Sequence, residues 1–291
     1  MPTPGGRDRE CRHLVPLGGP ALAGGGGSGE ADGVIEASQI AADLAAAERE
    51  RRDRKPFTDE HPDLDVETAY AAQWAGVQAR LDAGERLVGA KLGLTSKAKQ
   101  RAMSVDEPLY GFVTSGMLAP YGEPVDLSSL IHPRVEPEIA FLLGRDMAVP
   151  ATVTSVLAAT EAVFAAVEVL DSRYADFRFR LPDVVADNAS AALFLTGPRS
   201  VRPADLPDLG LVGCVLRVDG DVRATAAGAA VMGHPAASVA WLANQLAARK
   251  QQLQAGWLVF SGGLTEPVPL AAGVSVTAEF DGLGSVEAFA R

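Results

Sequence analysis

Two glutamates spaced two positions apart are the first residues in this sequence whose arrangement could bind a metal ion. Glu136 and Glu138 lie in the segment 132–143, whose composition indicates a β-strand. Alternate side chains of a strand share a face, so the pair would lie in one row with Ala140 and Leu142. If that row faces the core, the carboxylates repel each other, and a bound Mg²⁺ or Mn²⁺ compensates them. If the strand is half-exposed, both glutamates simply face water.

Two more charged residues interrupt apolar segments of the predicted strands. Glu168 is the lone acid in the segment 165–170, and a buried carboxylate of this kind needs a partner or a metal ion. A chance surface position on an amphipathic strand is the alternative. Lys91 lies among glycines and apolar residues in the segment 89–95, where it could supply positive charge or a proton to an anionic ligand. A lysine whose stem lies along the strand while its ammonium reaches water is the alternative.

Polar residues are also concentrated just before an apolar strand, in the segment 183–190. Asn188 and Ser190 are candidates for substrate binding there, although turn capping explains such residues equally well. The chain has no phosphate-binding glycine loop in the context of a strand and helix, and no Gly-x-Ser-x-Gly nucleophile motif. Nucleotide binding and serine hydrolase chemistry are therefore not indicated.

The elements that would position these residues follow from hydrophobic periodicity. Helices are predicted over about 34–52 and from Asp65 to about Ala83, and later over 151–163 and 235–248. From about residue 85 onward, short runs rich in Val, Ile, Leu and Phe alternate with turns, among them a hairpin turn at Asp219-Gly220. We expect a disordered extension over residues 1–33 and one catalytic domain over 34–291, helical to about residue 84 and β-rich after it.

Composition narrows the possible partners. The chain has 291 residues, of which 47% are hydrophobic, and a formal net charge of −11. Such a charge opposes sequence-independent binding to nucleic acid or anionic lipid, and no apolar run is long enough for a membrane span. Two distant cysteines cannot form a disulfide framework, so a reducing, cytoplasmic location is the simplest.

Four ordered blocks of the sequence resemble one enzyme family. They are the segments 89–96, 132–140, 168–174 and 185–190. Together they resemble the 4-oxalocrotonate decarboxylase and 2-oxopent-4-enoate hydratase family, within the fumarylacetoacetate hydrolase superfamily, from about Asp63 to Arg291. The resemblance implies an α+β fold, with a mixed β-sheet, barrel-like core of the fumarylacetoacetate hydrolase C-terminal type and flanking helices. It also implies Mg²⁺ or Mn²⁺ held by Glu136, Glu138 and Glu168, and a catalytic lysine at Lys91.

One departure from the family pattern bears on the reaction. Hydratases of the family carry Pro-Asp-Phe-Gly after the lysine block, whereas this chain has Pro108-Leu109-Tyr110-Gly111. A leucine cannot transfer a proton, so the sequence favours the decarboxylase branch. The resemblance then implies a 2-oxo dicarboxylic acid substrate of the 2-oxohex-3-enedioate type, from the breakdown of aromatic compounds. A cation would chelate the C1 carboxylate and C2 keto oxygen and act as a Lewis acid.

Further expectations complete this reading. Arg173 could hold the substrate's distal carboxylate, and a structural ion pair is the alternative. A homo-oligomer is expected, with a partner hydratase as a further associate. The alternatives are a 2-hydroxypenta-2,4-dienoate hydratase, an acylpyruvate C–C hydrolase, for which no acid-paired histidine motif is evident, and a non-catalytic partner subunit.

Overall fold

The structure is a computed structural model that describes residues 35–102 and 105–291. Within these ranges the chain forms six α-helices and eleven β-strands. The helices are α1 (Ala37–Glu50), α2 (Val66–Asp82), α3 (Lys97–Ala102), α4 (Val153–Ala159), α5 (Leu181–Ala186) and α6 (Pro235–Ala248). The strands are β1 (Leu87–Gly93), β2 (Leu109–Thr114), β3 (Arg134–Leu143), β4 (Thr160–Leu170), β5 (Ala191–Thr196), β6 (Gly213–Val218), β7 (Asp221–Ala227), β8 (Leu258–Phe260), β9 (Val268–Pro269), β10 (Ser275–Phe280) and β11 (Gly284–Phe289).

A mixed sheet forms the centre of the molecule. Its strands follow the order β2-β1-β8-β3-β4-β5, and β9 pairs with β3. The pairing of β1 with β8 is parallel, whereas β3 pairs antiparallel with β4, β8 and β9. The mixed sheet forms a half-barrel with helices at its sides. This arrangement confirms the α+β fold expected from the sequence.

A second sheet, in the order β11-β10-β6-β7, covers part of the first. Val276 of β10 and Val286 of β11 pack into the same apolar core as Val163 and Val167 of β4. The β6–β7 hairpin turns at Asp219 and Gly220, both with left-handed backbone angles, as the Asp-Gly dipeptide predicts. Most of β4 is buried on both faces, and a shift of one residue would move Glu168 from the face that it shares with Glu136 to the other, apolar face.

The N-terminal helices form a layer of their own beside α5. Ile40, Leu44 and Phe57 join Val184 and Val185 in a buried apolar cluster. The predicted start of α2 is confirmed, because the Asp65 carboxylate accepts a hydrogen bond of 2.7 Å from the Thr68 backbone N–H. This layer lies over one end of β2, since Leu109 belongs to the same cluster.

The predicted helix over 151–163 is wrong from Thr160 onward. Helix α4 ends at Ala159, and Thr160 already begins β4. Alanines extend the helical pattern through this segment, but Thr160, Val163 and Phe164 prefer extended backbone. Pairing with β3 decides the outcome, with Thr160 opposite Leu143 and Phe164 opposite Ala140.

The helical segment precedes the β-rich segment in the order expected from the sequence. The expected extension over residues 1–33 lies outside the described residues. Among the described helices, none combines the length and the apolar character needed to cross a bilayer.

We predict that Asp183→Ala lowers the free energy of unfolding by about 2–4 kcal/mol. The fully buried Asp183 carboxylate accepts hydrogen bonds from Thr58 N (3.0 Å), Thr58 Oγ1 (2.6 Å) and Arg180 N (2.9 Å), and so ties the N-terminal layer to α5. Urea denaturation measures the change. The exposed helix cap provides the control, because Asp65→Ala should cost only about 1 kcal/mol. Equal losses of unfolding free energy in the two variants would show that the Asp183 hydrogen bonds do not stabilise the contact between the N-terminal layer and α5.

Candidate active site

The antiparallel pairing of β3 and β4 brings the three glutamates together. Glu136 lies directly opposite Glu168 across the two strands, and Glu138 shares their face because it is two positions from Glu136. Only 8% of Glu136 is exposed, and Glu138 and Glu168 are fully buried. The water-facing alternative is therefore wrong for all three residues. The row continues toward Ala140, which lies in an apolar cluster.

Lys91 reaches the same site from β1. Its Nζ lies 3.0 Å from Glu168 Oε2 and donates a hydrogen bond of 3.1 Å to the Ala189 carbonyl oxygen. The lysine is buried, so the alternative of an ammonium in water is wrong as well. Leu109 lies nearby on the same face, because it pairs with Gly93, two positions from Lys91, and a Cβ at Gly93 would be 2.8 Å from Leu109 Cδ1 and 3.9 Å from Lys91 Nζ. The position that carries a proton-transferring acid in the hydratase pattern is thus an apolar neighbour of the ammonium.

The sequence reasoning missed a second lysine, Lys99 on α3. Its Nζ donates to Glu136 Oε1 at 2.7 Å and to the Thr265 carbonyl oxygen at 3.0 Å. Burial is the largest single effect on the pKa of Lys99 and lowers it, but the charge and hydrogen bond of Glu136, together with the charges of Glu266 and Glu138, outweigh burial, so the pKa is raised and the ammonium stays protonated. A lysine in a short charged segment looks solvated in the sequence, and no pattern there indicated its partner.

The loop that follows β8 was also missed. Gly262 N donates a 2.8 Å hydrogen bond to Glu138 Oε2. Gly263 packs so closely on Glu136 that a Cβ there would lie 1.8 Å from Glu136 Oε2. The only signal in the sequence was the Gly-Gly pair directly after a predicted strand, which is consistent with a close approach of the backbone.

Several buried carboxylate oxygens in this site have no hydrogen-bond partner. They are Glu138 Oε1 and both carboxylate oxygens of Glu168, because Lys91 approaches Glu168 at an angle too poor for a hydrogen bond. Unsatisfied, buried oxygen donors of this kind suit a hard divalent cation. In the described residues, however, no three acidic, histidine or cysteine side chains are already arranged as a metal site. The donor set fits a cation, and Glu136 and Glu168 would have to turn from Lys99 and Lys91 to bind it.

Burial raises the pKa of Glu138 well above its usual range, and the Glu168 charge raises it further. Burial also raises the pKa of Glu168, against the opposing effect of the Lys91 ammonium. Glu136 adds to the repulsion at both groups. The cluster therefore favours an added positive charge over ionised carboxylates alone.

Asn188 and Ser190, the two candidates for substrate binding, hold a strained turn in shape. Asn188, Ala189 and Ser190 have consecutive left-handed φ angles of 48°, 57° and 58°. The Asn188 amide accepts from Phe112 N (2.8 Å) and donates to Phe112 O (2.9 Å), and Ser190 Oγ donates to Asp187 Oδ2 (3.1 Å). The turn places the Ala189 carbonyl on Lys91 Nζ.

Arg173 lies in a buried ion pair with Asp187. Its guanidinium also donates to the carbonyl oxygens of Asp171 (2.7 Å), Ala191 (3.2 Å) and Asp187. Four contacts inside the protein leave it little capacity for a substrate, which favours the structural alternative. Burial raises the pKa of Asp187 to about 6, although Arg173 acts in the opposite direction.

A cleft of about 530 Å³ extends from α1 and α2 to the ion pair of Arg173 and Asp187. Arg173, Asp187 and Asn188 line it, whereas the three glutamates and Lys91 do not. The unsatisfied carboxylate oxygens, in contrast, are those of Glu138 and Glu168, which do not line this cleft, whereas Asp187 in the cleft, whose pKa is raised, is paired with Arg173.

Comparisons with known proteins identify relatives of this chain. The model of the fumarylacetoacetate hydrolase C-terminal family matches residues 86–289. The chain is 44% identical over 250 residues to a 4-oxalocrotonate decarboxylase of Pseudomonas sp. (strain CF600), covering 86% of this chain and 94% of that protein. It is 41% identical over 254 residues to a 2-keto-4-pentenoate hydratase of Burkholderia vietnamiensis, covering 86% and 96%.

A solved structure is similar over nearly its whole length. It is the 4-oxalocrotonate decarboxylase of Pseudomonas putida G7 complexed with magnesium and adipate, with a TM-score of 0.84, 39% identity, and coverage of 88% of this chain and 97% of that one. By its sequence, and by a fold that carries acidic side chains on facing strands, the chain belongs to the fumarylacetoacetate hydrolase family.

Proposed function

We propose that this protein is a divalent-cation-dependent decarboxylase of a 2-oxo dicarboxylic acid of the 4-oxalocrotonate type. The observation that carries the proposal is a buried set of three carboxylates, with unsatisfied oxygens, beside a lysine whose neighbour is leucine. Similarity to a decarboxylase over most of both chains supports it.

Glu136, Glu138 and Glu168 would hold Mg²⁺ or Mn²⁺. The cation supplies Lewis acidity at the 2-oxo acid end of the substrate. The three carboxylates fix its place against the rigid β3–β4 pair, and Gly262 N holds the Glu138 carboxylate in position. The magnesium in the decarboxylase from P. putida G7 and the oxygen donors of this chain support the same choice of metal.

Lys91 would act as the catalytic residue. When the bond to the distal carboxylate breaks, CO₂ leaves and the electron pair passes through the conjugated chain to the C2 oxygen. The buried Lys91 ammonium then stabilises the developing negative charge, or supplies the proton that completes the product. Its bond to the Ala189 carbonyl oxygen fixes the direction of Nζ before substrate binds. The turn that presents the Ala189 carbonyl to Lys91 would be held in place by three positioning residues, Arg173, Asn188 and Ser190.

We also propose a homo-oligomer in the cytoplasm, associated with a partner hydratase. The two widely separated cysteines support the location, and the family resemblance supports the assembly.

The reaction itself is the first prediction. Purified protein with Mg²⁺ and 2-oxohex-3-enedioate should release one CO₂ per substrate consumed and give 2-hydroxypenta-2,4-dienoate, and chelation by EDTA should stop it. Glu138→Gln should lower turnover at least about 100-fold. Activity only on the dienoate, with 4-hydroxy-2-oxopentanoate as product, would assign the protein to the hydratases instead. Full turnover of Glu138→Gln would overturn the proposed metal site.

The next prediction concerns the contact between Gly263 and Glu136. Gly263→Ala should weaken Mn²⁺ binding at least about tenfold, because the new Cβ must displace a carboxylate that the cation needs. Electron paramagnetic resonance of free Mn²⁺ measures the affinity. Gly213→Ala is the matched control, since its Cβ would meet nothing within 4 Å and no change is expected. Equal Mn²⁺ affinity of wild type and Gly263→Ala would exclude Glu136 as a ligand.

A third prediction concerns the choice of reaction. Leu109→Asp should add hydration of 2-hydroxypenta-2,4-dienoate, because a carboxyl group beside Lys91 can transfer the proton that leucine cannot. The hydration rate of Leu109→Asp should exceed that of Leu109→Asn by about 100-fold, because asparagine has the shape of aspartate but no acidic proton. Measurement is by loss of dienoate absorbance. Equal rates of the two variants would show that proton transfer at this position does not separate the reactions.

A further inference from the structure

The proposed mechanism leaves Lys99 without a role, although its ammonium lies inside the site. Only 14% of its side chain is exposed, and it is held by Glu136 Oε1 at 2.7 Å and Thr265 O at 3.0 Å. An ammonium group has three N–H donors, so one remains beyond these two contacts. Lys91, at 3% exposure, is deeper and bound to Glu168 and Ala189. Lys99 is thus the outer of two lysines that face the same carboxylates.

The charges of the site depend on what is bound. Three carboxylates and two ammonium groups leave one net negative charge, which a divalent cation would change to one net positive charge. A substrate with two carboxylates then restores a net negative charge, whereas a monocarboxylate leaves the site neutral. Net charge alone therefore favours a monocarboxylate. The second carboxylate of a dicarboxylate needs a cationic partner within reach, because buried charge without a partner is costly.

The bond between Lys99 and Glu136 competes with the cation. Glu136 Oε1 cannot face both Lys99 Nζ at hydrogen-bond distance and a cation at ligand distance without moving one of them. The flexible four-carbon stem of a lysine allows its ammonium to move, and the Thr265 carbonyl can keep it near the site. Once the cation binds Glu136, Lys99 has lost its anionic partner.

We propose that Lys99 exchanges partners: it neutralises Glu136 while the cation is absent, and it binds a carboxylate of a dicarboxylic substrate once the cation occupies Glu136. Lys99 is then a specificity-determining residue that favours dicarboxylates over monocarboxylates. The inference rests on the proposed function for the substrate class, and its test uses binding alone.

In one variant, the affinity for Mn²⁺ and the affinity for adipate should change in opposite directions. Lys99→Met removes the competitor of the cation, so calorimetric titration with Mn²⁺ alone should show about tenfold tighter binding. In protein saturated with Mg²⁺, the same variant should bind adipate about tenfold more weakly, because the partner of one carboxylate is gone. Hexanoate, with the same chain length and one carboxylate, should bind with unchanged affinity.

Lys97→Met is the matched control. Lys97 lies on the same helix and bonds to Gln100, so the variant loses the same charge without touching Glu136, and all three affinities should stay as in wild type. Lys99→Arg should keep the preference for adipate over hexanoate. Lys99→Gln is a second neutral variant with a polar side chain, and it should repeat both changes seen with Lys99→Met.

The outcomes separate this inference from the proposed function. If Lys99→Met and Lys99→Gln weaken Mn²⁺ and adipate together, Lys99 only supports the structure, and the exchange is wrong. If adipate and hexanoate weaken equally, its role in selecting dicarboxylates is wrong. If wild type releases no CO₂ while the opposite changes appear, the reaction is misassigned, and Lys99 still selects dicarboxylates.

Discussion

Three carboxylates buried on one face of a strand pair are the constraint on which the rest of this structure depends. Placing Glu136, Glu138 and Glu168 together out of water costs far more than a single hydrogen bond returns. The protein compensates part of this cost from three directions, with Lys91 on β1, Lys99 on α3 and the N–H of Gly262 after β8. The compensation is incomplete, and the unsatisfied oxygens of Glu138 and Glu168 are where we propose that a cation completes it.

The framework around these charges is built from polar contacts that are buried or partly buried. Arg173 and Asp187 form an ion pair that also anchors the strained turn at residues 188–190. Asn188 fastens that turn to β2, so the Ala189 carbonyl is held against Lys91. Strain in a turn persists only where the surroundings determine it, and here they fix the direction of a single ammonium group. The contacts of Arg173, Asn188 and Ser190 are with the surroundings of this lysine, and their binding to substrate stays a prediction.

Particular residues show which parts of the site could be predicted from the sequence alone. Strand alternation placed Glu136 and Glu138 on one face, and it needed no knowledge of the fold, because a period of two is a local property. The partnership with Glu168 became a physical statement only once the register of β3 and β4 was known. Family resemblance had suggested it earlier, on the strength of motifs rather than geometry.

Other features depended on tertiary contacts that leave no local pattern. The change from helix to strand at Thr160 is decided by pairing with β3, against the helical preference of the alanines nearby. Lys99 and Gly263 are recognisable only by what they touch, since a charged short helix and a Gly-Gly pair have many ordinary explanations. The assignment of Arg173 to the framework likewise needed its four contacts inside the protein.

The central claim is that one cation joins these three glutamates and the 2-oxo acid end of the substrate. Crystals grown with Mn²⁺ and oxalate, measured by anomalous diffraction, test it most directly. The account predicts one anomalous peak with carboxylate oxygens of Glu136, Glu138 and Glu168 and two oxalate oxygens at about 2.0–2.3 Å. Two results would contradict it. One is an ordered oxalate at this face without a metal peak, and the other is a bound Mn²⁺ ion that Glu168 does not ligate because it remains paired with Lys91.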